Sequence, residues 1–261
     1  MAVNGGALAV RQFRFWLTDY RRTWKGSIYS SLFNPLLYLG AMGLGLGSLV
    51  DRHGTGHIGG VSYLVFLAPG LLAAQAMQTA VFECTYPVFG STKWSKTYYG
   101  AAASPLRPGD IFYGHQLFAA LRLLMNCAMF LAVMAAFGAV RSPVAIAELP
   151  AAVLTGLAFA GPVEAWAITR TRDSSFNMIF RFVMIPLFLF SGTFFPVTQL
   201  PGWIQPVAYV TPLWHGVALC RGIALGTLTT GDIVLHVVYL TALAAAGLVV
   251  GRRTYRGRLN A

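Results

Sequence analysis

A chain of 261 residues that is 56% hydrophobic and only 10% charged has more apolar surface than a soluble domain can bury, since an average one is roughly 45–50% apolar and about 25% charged. Nineteen Lys and Arg against eight Asp and Glu give a formal charge of +11, but the cations flank apolar runs, where they hold loops against anionic headgroups rather than nucleic acid. Cys84, Cys127 and Cys220 stand far apart with no His at ligand spacing, which excludes a disulfide framework and a metal centre.

Residues 1–27 read as a cytoplasmic interface helix. From Leu8 to Lys25, Phe13, Trp16, Leu17, Tyr20 and Trp24 share one helical face, while Arg11, Arg14, Arg21, Arg22 and Lys25 take the other. A helix of this kind lies in the inner membrane boundary, although a plain topology signal accounts for the same cations. No cleavable leader is expected, because no small-residue cleavage motif closes the first apolar run.

Residues 28–261 read as one all-α membrane domain. A span needs about 20 apolar residues, and six stretches qualify: about 28–50, 58–82, 118–140, 149–169, 178–195 and 233–250. In the first, Gly40, Gly43, Gly45 and Gly47 suit close helix packing, because no Lys-Ser or Lys-Thr follows to make a phosphate loop. Asn34-Pro35 and Pro69 read as kinks.

The connection from Glu83 to Gly114 is the longest on the basic side. Lys93, Trp94, Lys96, Tyr98 and Tyr99 mix cations with rings, as a docking surface for a soluble partner does. Aromatics lying back on the membrane boundary are the competing reading. Four charges fall inside or at the ends of spans: Glu83, Arg122, Glu164 and Arg181. Charges at such depth face the bundle and find partners, which predicts a network near the inner side; snorkelling of the two arginines to the headgroups is the alternative.

Between the fifth and sixth spans, Pro201, Pro206 and Pro212 forbid one straight helix. The stretch is too apolar for a solvated loop, so a broken re-entrant pair of short helices on the outer face is expected. Pro196, Pro201, Trp203, Pro212, Trp214, His215 and Arg221 are its candidate gate residues, an ordinary outer loop with surface aromatics being the alternative.

Sixteen of the nineteen cations fall before the first span, after the second, around the third, between the fourth and fifth, and in the tail; Arg52, Arg141 and Arg221 lie opposite. Both termini are therefore expected in the cytoplasm, on a multi-pass protein of the cytoplasmic membrane. Five scattered His residues form no catalytic constellation and there is no Walker A loop, so an enzyme is not expected and any ATP chemistry belongs to another chain. A stand-alone secondary transporter is the alternative function, but its broken helices usually recur in corresponding halves, whereas here the break occurs once.

The block PLFLFSGTFFPVTQLPGWIQPVAYVTPLWHGVALCRG, Pro186 to Gly222, resembles the signature of type-2 ABC transporter permeases. YLVFLAPGLLA from Tyr63, FECTYPVFG from Phe82, RPGDIFYG from Arg107 and LPAAVLTGLAFA from Leu149 follow the family's order over nearly all the chain after Ile28. The likeness is to the nodulation-factor (lipo-oligosaccharide) exporter permeases, with the daunorubicin-resistance drug-efflux permeases close by. It implies a coupling helix between spans two and three, re-entrant helices between five and six, and a pair of permeases, identical or paralogous, on two ATPase subunits that bind ATP and Mg. The cargo it implies is amphipathic, an antibiotic or a lipid-linked oligosaccharide. Trp214 in PLWHG departs from the small polar residue expected there, and substrate identity does not transfer across that difference.

Overall fold

The computed structural model describes residues 5–46 and 61–259, and no strand occurs among them. The end of the first expected span, with Gly47, and the segment holding Arg52, His53 and His57 lie outside the described residues.

Helix α1 runs from Gly5 to Tyr38 and passes into wide π turns at Leu39–Leu46. The expected division between an interface helix and a first span at residue 28 is absent. Gly26 sits at that boundary without a proline or a cap to stop the helix, and an interior glycine weakens a helix by only about 1 kcal/mol. The apolar stripe is also covered differently. Leu8, Ala9, Trp16 and Tyr20 are buried, with Phe13 packed beside them, and Trp16 stacks on Phe118 with ring centroids 5.5 Å apart. The face read as lipid-seeking is thus seated on protein, and of its rings only Trp24 is exposed.

Helix α2, Tyr63–Glu83, is the central element, buried along nearly its whole length. Its carboxyl end breaks at Thr85, whose hydroxyl donates to the Val81 carbonyl at 2.7 Å. The expected connecting loop is largely helical: α3 at Tyr86–Phe89, a π turn at Gly90–Trp94 and α4 at Thr97–Ala102. Helix α5 spans Pro108–Ala136 and starts ten residues before the expected third span. Pro108 fills its first position and the Asp110 carboxylate accepts the Arg107 N–H at 3.1 Å, an N-terminal cap that hydropathy does not register.

After a 3-10 turn at Pro143–Ala147 comes α6, Glu148–Ala167. The fifth expected span is α7, Ser174–Ile179, a π turn at Phe180–Met184, and α8, Ile185–Phe190. The proline-rich stretch is broken as expected: a 3-10 turn at Val197–Gln199, α9 at Gln205–Val210 and α10 at Pro212–Leu225. Thr211 caps α10 by accepting the Trp214 N–H at 3.3 Å, and Gly226 ends it at φ +65°, a conformation that glycine takes without Cβ strain. Helix α11, Thr230–Leu259, carries the basic tail on its last turns.

Four helical stretches are long and apolar enough to cross a membrane among the described residues: Tyr63–Trp94, Pro108–Ala136, Pro143–Ala167 and Thr230–Leu259. Of the glycines expected to pack α1, Gly43 meets the Leu64 side chain, whereas Gly40 has open space. A close backbone approach falls elsewhere, where α6 crosses α11. A Cβ on Gly161 would lie 2.8 Å from the Gly247 backbone, and one on Gly247 would lie 2.8 Å from the Pro162 nitrogen. Small residues at a crossing let helices touch without a layer of side chains. Gly247→Leu should therefore force α6 and α11 apart and cost about 1–3 kcal/mol by overpacking. A thermal unfolding scan in detergent checks this, and an unchanged midpoint would mean that the helices do not meet at Gly247.

Candidate functional site

Arg122 of α5 lies against α1 at Tyr20 and against the end of α2 at Glu83. Its Nε donates to Glu83 Oε1 at 2.7 Å, its Nη1 donates to the Tyr20 hydroxyl at 2.9 Å, and its guanidinium sits 4.7 Å from the Tyr20 ring. The two charged side chains are nearly buried. One cation thereby ties together three helices.

Glu164 of α6 is fully buried and belongs to a second cluster. Its Oε2 accepts from Gln116 Nε2 of α5 at 2.5 Å, and its Oε1 accepts from the Tyr255 hydroxyl of α11 at 2.5 Å. His115 Nδ1 lies 3.0 Å from Oε1 but off the hydrogen-bonding axis, and neither ring nitrogen of this buried histidine has a hydrogen-bond partner among the described residues. Trp16 covers the imidazole at 4.7 Å between centroids. A buried carboxylate is tolerated only when donors meet it, and Gln116 and Tyr255 do so.

The four-charge network expected near the inner side is therefore resolved into separate parts. Glu83 pairs with Arg122, Glu164 turns to neutral donors, and Arg181 is exposed on the π turn between α7 and α8 with no ion pair among the described residues. Sequence reading missed Gln116, Tyr255 and His115. His115 and Gln116 are polar residues beside an apolar stretch, but Tyr255 lies in the basic tail, 91 positions from its partner, and nothing in the local pattern joins them.

Of the residues expected to dock a partner, Trp94 and Tyr99 are 66% and 40% exposed, and Lys93 and Lys96 border them at the surface. Tyr98 is fully buried, its ring 5.9 Å from Tyr255 and 6.4 Å from Trp16. It is a core residue, because the left-handed turn at Lys96, φ +53°, rotates α4 so that Tyr98 points inward. Burial holds its phenol well above the usual range.

In the broken segment, Pro196 leads into the 3-10 turn, Pro201 and Trp203 are exposed, and Pro212 opens α10. His215 and His236 bring their Nδ1 atoms to 2.8 Å, so that one ring donates to the other, and His215 stacks on Tyr239 at 3.9 Å. Trp214 packs edge-on against Tyr209, with centroids 4.9 Å apart. Arg221 donates to the Phe66 carbonyl at 2.9 Å and the Thr193 carbonyl at 3.0 Å.

Long apolar helices with charges turned inward define a multi-pass helical membrane protein. Residues 6–225 match the ABC-2 type transporter family, and the chain belongs to it. It is 37% identical over 234 residues to nodulation protein J of Rhizobium leguminosarum bv. trifolii, covering 86% of this chain and 84% of that one. It is 33% identical over 253 residues to nodulation protein J of Rhizobium meliloti strain 1021, covering 94% of each.

Partner choice at Arg122 is open to a charge-swap test. Arg122→Glu should lower the melting temperature, since it faces Glu83 with a like charge, and adding Glu83→Arg should recover most of the loss. Adding Glu164→Arg instead should recover nothing. Equal rescue by both second changes would show that Glu83 is not the specific partner.

Proposed function

We propose that this chain is the transmembrane permease subunit of an ATP-binding-cassette exporter, working with a second permease on two separate ATPase subunits that bind ATP and Mg. Membership of the ABC-2 type transporter family carries the reading. In this reading the chain sits in the cytoplasmic membrane with six spans and both termini inside, which the gathering of sixteen cations on one side supports, and the broken segment from Pro196 to Gly226 closes the outer face. Its cargo is an amphipathic molecule. The relatives named nodulation protein J, together with the likeness of the Pro186 to Gly222 block to nodulation-factor exporters, favour a lipid-linked oligosaccharide; drug efflux finds no support in those relatives.

Energy enters through the segment between α2 and α5. Trp94 and Tyr99 are the exposed rings there, flanked by Lys93 and Lys96, and they form the surface on which an ATPase docks. Trp94→Ala with Tyr99→Ala should weaken association with the co-expressed ATPase by about 2 kcal/mol if both rings are hot spots, read by pull-down from membranes. Unchanged pull-down would remove this surface from the coupling. The purified permease alone should hydrolyse no ATP, and steady hydrolysis by a preparation free of other subunits would overturn the exporter reading.

A further inference from the structure

Below the midpoint of α2, a groove of about 300 Å³ opens between α1, α2 and α5, near the lower end of small-molecule pockets. Its lining is unusual for a surface facing lipid. Asn34 of α1 and Gln75 and Gln78 of α2 all border it. None of the three side-chain amides makes a hydrogen bond among the described residues. Nearby polar groups do: Asn126 donates to Thr79 at 3.3 Å and accepts from the Ser31 hydroxyl. Three free amides therefore line one groove, two of them on α2, which belongs to a stretch long and apolar enough to cross a membrane, and a primary amide without a partner at that depth is costly. They need an occupant with hydrogen-bonding groups of its own.

The lining also defines what that occupant is. An amide offers donors and acceptors together, which matches hydroxyl and acetamido groups. The charged residues at the groove, Glu83 and Arg122, neutralise each other at 2.7 Å, leaving no net charge to select an ion. Phe82, 59% exposed, gives the groove an apolar ring against which the C–H face of a sugar can lie. At 1.5 Å per residue, the run from Glu83 to Gln75 reaches about 12 Å along α2. A second cleft of about 380 Å³, bounded by Tyr20, Trp94 and Phe118, meets the first at the Glu83 and Arg122 pair. The groove thus connects past one ion pair to the docking segment.

We infer that this groove is a binding site for the neutral, hydroxyl- or amide-bearing head of an amphipathic molecule, with Asn34, Gln75 and Gln78 as its hydrogen-bonding groups and Phe82 as its stacking face. The inference rests on the exporter reading for its purpose, but not for its measurement. The same chemistry is offered by a saccharide cargo and by a glycolipid of the surrounding bilayer. The Glu83 and Arg122 pair stands at the junction of the two clefts, where it separates the space reached from the docking segment from the space that holds the head.

The test uses the full-length permease, without ATPase, in phosphatidylcholine nanodiscs. Two probes of equal chain length, dodecyl maltoside and dodecyltrimethylammonium, are titrated below their micellar range. Asn34→Leu with Gln78→Leu should weaken maltoside binding at least about tenfold, which corresponds to about 1.4 kcal/mol, and leave the ammonium probe unaffected. Asn34→Gln with Gln78→Asn should retain most of the affinity. Equal loss of both probes, or no loss of either, overturns the site; if the Leu variant melts early, the same criterion is applied to Asn34→Ala with Gln78→Ala. A photoreactive benzoylphenylalanine at Gln75 then identifies the occupant in native membranes. Capture of a saccharide-bearing amphiphile supports the site, with cargo and resident glycolipid told apart by whether the ATPase depletes it. Capture of phosphatidylcholine-type lipid alone, or of a second permease alone, overturns it. Failed ATPase pull-down with intact maltoside selectivity would sink the exporter reading and leave the site standing; the reverse pattern would do the opposite.

Discussion

A carboxylate shut away from water holds its place only if neighbouring helices bring donors to it, and Glu164 imposes that condition on α5, α6 and α11 together. The contact between Gly161 and Gly247 and the hydrogen bond between Glu164 and Tyr255 ascend in sequence on both helices, so α6 and α11 run parallel where they cross. Tyr255 lies eight residues beyond Gly247, about 12 Å along the axis, while Glu164 is only three residues beyond Gly161. The gap closes because helical side chains lean toward the amino terminus, and a phenol is long enough to reach back. Without the glycine crossing, Tyr255 would stand off and one oxygen of Glu164 would lose its donor. Gln116 of α5 then fixes the third helix from the other side.

What the sequence made legible and what it hid divide along a geometric line. Hydropathy gives position along a helix, so four of the apolar stretches, their order and the break at Pro201, Pro206 and Pro212 were readable. It does not give rotation about the axis. Depth alone grouped Glu83, Arg122, Glu164 and Arg181, whereas rotation pairs Arg122 with Glu83, leaves Glu164 to other donors and turns Arg181 outward. The same blindness affected the stripe on α1, because an amphipathic pattern says that one face is covered without saying whether lipid or protein covers it. Trp16 is covered by Phe118 and His115. Tyr98 and Tyr99 are neighbours of equal chemistry, and only the turn at Lys96 decides which one is buried.

That turn matters for how a push from outside the bundle is received. Trp94 and Tyr99 are exposed, but Tyr98 between them touches Trp16 of α1 and Tyr255 of α11, and Tyr255 bonds to Glu164. Interiors packed at crystal-like density transmit displacement instead of absorbing it. A shift of α4 is thus passed to two helices at once, one of which also carries Tyr20, the partner of Arg122. Contact continuity of this kind is the geometric precondition for coupling between a docking surface and the helices beyond it.

The two ends of the bundle solve the problem of buried polarity by different means. On the side of Glu83 and Glu164, side chains satisfy one another across helices, which ties partner to partner and leaves the backbone of each helix self-sufficient. In the broken segment the backbone itself is in deficit, since residues 191–196 lie outside any helix, and side chains of neighbouring helices supply donors, Tyr63 of α2 giving its hydroxyl to the Phe194 carbonyl at 3.2 Å. Arg221 answers that deficit. Its guanidinium lies 3.7 Å from the Phe66 ring and gives one donor to the Thr193 carbonyl of the non-helical stretch and another to Phe66 of α2. Gly70 permits the approach, because a Cβ there would lie 2.7 Å from the guanidinium and 2.9 Å from the Thr193 carbonyl. Non-helical backbone survives at membrane depth only where protein covers it. Arg221 thus staples the break between α8 and α9 to α2, while His215 and His236 join α10 to α11 side chain to side chain.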